Sequence, residues 1–253
     1  MTTYPAAIPP ARNPERELIS NTGRAIADFD LISAGDRILV ALSGGKDSYA
    51  LLLLLEAMRR RAPIEFELLA VHLDQGQPGH NPEPLRAWLS QNGFEHRIVR
   101  EATYDIVKET VPEGRTPCSM CARLRRAILY RFADELGCTK IALGHHRDDA
   151  IETLLLNLFF GGKLASMPAR LTSDDGDHVV IRPLIYCAEQ DLADFAASRK
   201  VPILPCNLCG SLPNAQRKQM KSMLARMEIE HPNLRQTMLA ALGNVHLSHL
   251  LMK

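Results

Sequence analysis

The stretch Ser43-Gly44-Gly45-Lys46-Asp47-Ser48 constrains this chain more than any other, because of what flanks it. Before it, Arg37 to Leu42 (RILVAL) is a short apolar run of β-formers that follows Gly35 and Asp36. Such a run predicts a strand buried on both faces, the kind that parallel sheets use. After it, the pattern becomes helical from about Ser48 to Arg61. A glycine-rich turn between a buried strand and a helix lies at the carboxyl edge of the sheet, where open α/β folds bind ligands. Glycine lets backbone N–H groups approach an anion, and the helix N-terminus adds positive potential. Ser43 and Ser48 add hydroxyls, so the stretch reads as a phosphate cradle. It is not a Walker A loop, since Val40 stands where the first glycine belongs and Asp47 where Ser or Thr is required. The chain has no Gly-x-Gly, which excludes a dinucleotide fingerprint.

Strand and helix patterns alternate along most of the chain. The spacing of Leu18, Thr22, Ala25, Ile26 and Phe29 predicts a helix from about Glu15. Further strands are expected at Phe66 to His72, Arg97 to Arg100 and Lys140 to Leu143. Helices are expected near Pro84 to Gln91, on both sides of Cys118, and from about Asp148 to Phe160. Ser173 to Asp177 (SDDGD) reads as a hairpin turn. The alternation predicts an α/β fold with a parallel sheet and right-handed crossovers. Residues 1–13, with Pro5, Pro9 and Pro10, are expected to be a flexible leader, 14–200 the α/β domain, and 201–253 a Met-, Lys- and Arg-rich helical appendage.

Two other strand ends carry polar groups to the same edge. Asp74 closes one strand, ahead of Gln75 and Gly76. Gly144-His145-His146-Arg147-Asp148-Asp149 closes another, with two acidic residues opening the next helix. Those two fit ordinary N-terminal capping, and their place on the ligand-binding edge also suits a nucleotide or Mg²⁺ role for at least one.

Six cysteines include two copies of Pro-Cys-x-x-Cys: Cys118 with Cys121, and Cys206 with Cys209. The longest apolar run, Ala50 to Leu55, is far short of the ~20 residues of a spanning helix, and no signal peptide is visible at the N-terminus. The expected location is therefore the cytoplasm, where paired cysteines read as metal or redox chemistry before disulfides. A zinc knuckle, an iron–sulfur cluster and a redox dithiol all remain open from spacing. The separation of Cys121 from Cys206 exceeds the roughly 15–20 residues usual between zinc-ribbon pairs. A zinc deaminase is excluded, because no histidine has Glu two residues on. Cys138 and Cys187 sit in apolar surroundings and read as core thiols.

Net charge hides a further feature. Thirty Lys and Arg against 29 Asp and Glu give +1, which excludes a uniformly basic protein. Yet Arg115 to Arg131 holds five arginines (115, 123, 125, 126 and 131) and no acid, and Arg217 to Arg226 holds Arg217, Lys218, Lys221 and Arg226, again with no acid. Each block adjoins a cysteine pair, the footprint expected for a nucleic-acid backbone. Only 5% of residues are aromatic, so a flipped base is expected rather than a stacking platform.

The Ser43–Ser48 loop resembles the PP-loop of the ATP pyrophosphatase superfamily. Together with Cys118–Tyr130 (CSMCARLRRAILY), Gly144–Gly162 (GHHRDDAIETLLLNLFFGG), Arg182–Leu184 and Cys206–Asn214 (CNLCGSLPN), it makes the chain similar to the tRNA 2-thiocytidine synthetases, the TtcA family, from about Glu17 to Met227. The resemblance implies a Rossmann-like PP-loop fold and ATP-dependent thiolation of cytidine in the tRNA anticodon loop. It implies pyrophosphate contacts from Ser43, Gly44, Gly45, Lys46, Asp47 and Ser48, with Asp74 and Gly144 in the nucleotide crevice. Lys46 would neutralise phosphate charge, Asp47 would help place Mg²⁺, and Asp148 would join them as a catalytic group. A [4Fe–4S] cluster would be held by Cys118, Cys121 and Cys209. A cysteine desulfurase would donate sulfur, and the protein would be a homodimer. Other expectations are a PP-loop uridine thiolase or lysidine synthetase with structural zinc, and a non-catalytic RNA-binding module.

Overall fold

The computed structural model describes residues 13–110, 118–205 and 216–251, with Cys118 and Ser119 described by backbone alone. Apart from Asn13, the expected leader lies outside the described residues, as do Cys206 and Cys209. Asn13 opens α1 (Pro14–Asp28): its side-chain oxygen accepts from Arg16 N–H, and Pro14 fills a first-turn position whose missing N–H costs nothing.

The alternation then unfolds as β1 (Arg37–Ala41), α2 (Lys46–Arg59), β2 (Glu67–Asp74), α3 (Glu83–Gln91) and β3 (His96–Arg100). Next come α4 (Thr103–Thr110), α5 (Cys118–Glu135), β4 (Lys140–Ala142) and α6 (Arg147–Phe160). The expected hairpin is β5 (Arg170–Thr172) and β6 (Val179–Ile181), turning at Gly176 with φ +85°. After α7 (Glu189–Ser198), helices α8 (Gln216–Glu230) and α9 (Leu234–Leu242) follow.

Six strands form one sheet in the order β3-β2-β1-β4-β6-β5, parallel throughout except for β5, which pairs antiparallel at the edge. Central β1 is apolar without alternation because both of its faces are covered. Ile38 and Val40 join α1, α2 and α7 in one core, while Leu39 meets Leu69, Val71, Ile141 and Val180 under Leu129 and Ala133 of α5. A third cluster, Ile151, Leu155, Met220 and Leu224, packs α8 onto α6, with Leu234 and Met238 of α9 partly buried against it. The C-terminal helices are thus docked on the α/β body. Strand order reverses between β1 and β4, the switch point at which a crevice opens beyond the carboxyl ends.

Candidate active site

Everything at the switch point depends on how closely β1, β4 and α2 approach. Gly144 follows β4, and a Cβ built on it would lie 3.1 Å from the backbone carbon of Asp47 and 3.2 Å from Ser48 N. A side chain there would crowd the backbone at the first turn of α2 and force it to give by a few tenths of an ångström. Gly44 adopts φ +84°, and a Cβ there would fall 2.8 Å from Leu204 Cβ. Leu204 N–H donates to the Gly44 carbonyl at 2.9 Å, and the Tyr49 hydroxyl donates to the Pro202 carbonyl at 2.8 Å. The segment running toward Cys206 is therefore strapped across the loop.

Within the loop, Ser48 Oγ donates to the Gly45 carbonyl (2.8 Å), and Ser43 N–H donates to Ser48 Oγ (3.2 Å). These bonds hold the turn open while no side chain caps α2; the Ser48 N–H donates to the Gly45 carbonyl at 3.1 Å, and the N–H groups of Lys46 and Asp47 are left for an anion. Lys46 Nζ contacts Asp47 at 2.9 Å and Glu189, the first residue of α7, at 3.3 Å. Burial pulls the lysine pKa down, but the Asp47 hydrogen bond and the charge of Glu189 outweigh it and raise the pKa. Glu189 also receives Lys221 of α8 at 2.6 Å. Burial works against its charge, yet Lys221 and Lys46 bring its pKa below the usual carboxylate value.

Beside the loop lies a cleft of about 230 Å³, lined among others by Leu42, Ser43, Gly45, Gln75, Arg125 and Leu204. Asp74 ends β2 and turns the chain by accepting from Gly76 N–H at 2.9 Å. The buried Gln75 takes a hydrogen bond from Cys121 Sγ at 3.4 Å. Cys121 is thus bonded to a residue that lines the cleft, one turn into α5, whose first residue is Cys118. The Cys118 side chain, Cys206 and Cys209 lie outside the described residues. Cys187 is fully buried, and half-buried Cys138 packs on the second core, as expected of core thiols.

Asp148, in the first turn of α6, is tied to the start of α7. Its carboxylate is almost fully buried and accepts from Glu189 N–H at 2.8 Å, capping α7 where Ala188 has no side chain to do so. It is also paired with Arg235 of α9 at 2.5 Å. Asp149 completes a capping box with His146 and receives Arg217 at 3.1 Å.

Of the basic blocks, Arg125 lines the cleft and Lys221 reaches Glu189 behind the loop, while others are taken up in ion pairs. Arg131 pairs with Glu101, Arg217 with Asp149 and Glu152, and Lys221 with Glu189. Arg123, Arg125, Arg126, Lys218 and Arg226 have no carboxylate partner among the described residues, while Arg115 lies outside them. Glu189, Leu204 and Arg217 carry much of this geometry, and no local sequence signal marked them for it.

The PP-loop domain family matches residues 15–204. A tRNA-cytidine(32) 2-sulfurtransferase of Sorangium cellulosum (strain So ce56) is 60% identical over 235 residues, covering 93% of this chain and 83% of that protein. The chain belongs to the tRNA-cytidine(32) 2-sulfurtransferase family. A second member, from Yersinia pestis (strain Pestoides F), is 57% identical over 236 residues, covering 93% and 75%. Among solved structures, the U34-tRNA thiolase NcsA of Methanococcus maripaludis, determined with its [4Fe–4S] cluster, superposes with a TM-score of 0.71 at 23% identity. That match covers 93% of this chain and 80% of that one, and it shows a shared fold. Membership accounts for a phosphate loop, a cleft and a cysteine-bearing helix built into one mouth.

Proposed function

We propose that this protein thiolates cytidine to 2-thiocytidine at position 32 of the tRNA anticodon loop, consuming ATP to AMP and pyrophosphate. The observation that carries the reading is the meeting of Cys121 with the phosphate-loop cleft through Gln75. ATP places its phosphates on Ser43 to Ser48, and Lys46 exchanges Asp47 and Glu189 for phosphate oxygens. Asp47 offers the hard oxygen donor that Mg²⁺ prefers. Asp74 and Gly144 shape the crevice on either side of β1. The cytosine O2 attacks the α-phosphorus, pyrophosphate leaves, and a poor leaving oxygen becomes AMP. Asp148 acts at one remove, fixing α7 and hence Glu189 behind Lys46.

Soft thiolates suit an iron–sulfur cluster, and the proposed ligands are Cys121, Cys118 at the first residue of the same helix, and Cys209. When bound, a [4Fe–4S] cluster with three cysteine ligands supplies an iron free to carry sulfur. Arg123, Arg125, Arg126, Lys218 and Arg226 receive RNA phosphates around the mouth. A cytoplasmic enzyme supplied by a cysteine desulfurase and acting as a homodimer completes the proposal, with 14–200 as the catalytic domain and 201–253 as the docked appendage. Among the described residues no helix is long and apolar enough to cross a membrane.

Nucleoside analysis of tRNA from a deletion strain tests the reading. Loss of 2-thiocytidine, restored by the gene, is expected. Loss of 2-thiouridine or lysidine instead would assign the chain to another PP-loop chemistry.

A further inference from the structure

Buried cations are normally paired, and one at this site is not. Arg182 follows β6 and is only 8% exposed. Its Nη1 donates to the Pro168 carbonyl at 2.7 Å, while its Nε is buried with no hydrogen-bond partner. Among the described residues no carboxylate lies within ion-pair distance of it. Its charged neighbour on α5 is another cation, Arg126, with Tyr130 close by. His145, beyond β4, also has a buried Nδ1 without a partner. Burial pushes its pKa down to about 4, so at neutral pH it brings no charge and remains a neutral donor or acceptor.

The placement of these groups is informative. Ile181 of β6 faces the α1–α2–α7 core and Val180 faces the α5 core. Side-chain alternation therefore sends Arg182 to the α5 face, the face that holds the cleft and Cys121. The β4–β6 register, Ala142 with Ile181, sets Arg182 level with the chain just before Gly144. The cleft lies over the ends of β1 and β2, whereas β6 is two strands beyond β1, roughly 10 Å at ~4.8 Å per strand. Arg182 therefore lies on the far side of the phosphate loop from the cleft, near the exposed Arg126, where an anion would satisfy it.

We propose that Arg182, with Arg126 above it and His145 beside it, forms a phosphodiester subsite that grips the RNA backbone next to the target cytidine and so sets that base over the reacting phosphate. The inference rests on the thiolation reading and adds to it a positioning residue outside the PP-loop and the cysteines.

The test uses the full chain and a fluorescently labelled anticodon stem-loop RNA. Anisotropy at several salt concentrations gives RNA affinity, equilibrium dialysis gives ATP affinity, and Arg60→Met serves as a distant control. Arg182→Met is expected to weaken RNA binding about tenfold, the scale of a charge-assisted hydrogen-bond pair. It should also make the salt dependence shallower by about one phosphate contact and leave ATP affinity within about twofold. Arg182→Lys should recover part of the loss. Should Arg182→Met fold poorly in a thermal melt, Arg126→Met, on an exposed side chain, is expected to weaken RNA several-fold by itself. Unchanged RNA affinity in folded Arg182→Met, or in Arg126→Met where the first variant does not fold, would overturn the subsite, leaving Arg182 as a brace on Pro168. A fall in ATP affinity with RNA affinity intact would give the phosphate to the nucleotide and overturn the RNA assignment. Failure of the unaltered protein to bind RNA would overturn the thiolation reading as well.

Discussion

One glycine and one aspartate show what single residues do here. Gly44 lies in the left-handed region and touches Leu204, so Gly44→Ala strains the backbone and pushes the strap outward. The expected cost is about 1–3 kcal/mol in stability, with ATP affinity falling in parallel. Thermal melts and equilibrium dialysis read the two losses separately, and a variant as stable and as tight as the parent would contradict the strap. Asp148 gives the opposite kind of prediction. Removing its carboxylate leaves Arg235 with Glu228 alone and uncaps α7. Asp148→Ala should lose about 3 kcal/mol, seen as a melting-temperature fall of roughly 10 °C. A variant that melts normally but is inactive would return Asp148 to the reacting groups.

At the scale of elements, β1, the loop and α2 were legible because each depends on neighbours in sequence: a buried run, two glycines, a helical period. The hairpin around Gly176 was legible for the same reason. Helix α7 was not anticipated, since Ala188 offers no cap and Asp148, far away in sequence, provides it. Glu189 was missed with the helix it opens, although it holds both Lys46 and Lys221. The acid-free blocks on α5 and α8 were read as a single field of positive charge. Folding supplies Glu101, Asp149, Glu152 and Glu189 from other elements, so that Arg131, Arg217 and Lys221 serve as internal braces. Sequence-local charge counting cannot see partners delivered by topology.

For the whole molecule, the carboxyl edge of the sheet concentrates polar groups whose ionisation is linked to folding. His145 is the clearest case. Burial lowers its pKa from 6.5 to about 4, so between these values the unfolded chain binds a proton that the folded chain refuses. Stability therefore falls as pH drops through that window, by up to about 1.4 kcal/mol per pH unit for one proton. Melting temperatures from pH 7 to 4.5 should fall less steeply in His145→Gln than in the parent, and identical slopes would contradict the buried neutral imidazole. The same edge joins the phosphate loop to the cysteine helix, and the claim that most needs testing is that the two act on one base. Protein prepared without oxygen, carrying about four iron atoms per chain as a [4Fe–4S] cluster requires, would be incubated with unmodified tRNA, sulfide and ATP, and the digested nucleosides weighed by mass spectrometry. The account predicts 2-thiocytidine, formed only with ATP and lost in both Lys46→Ala and Cys121→Ala. Cytidine left unmodified by the iron-loaded protein, or 2-thiocytidine formed equally well without ATP, would contradict it.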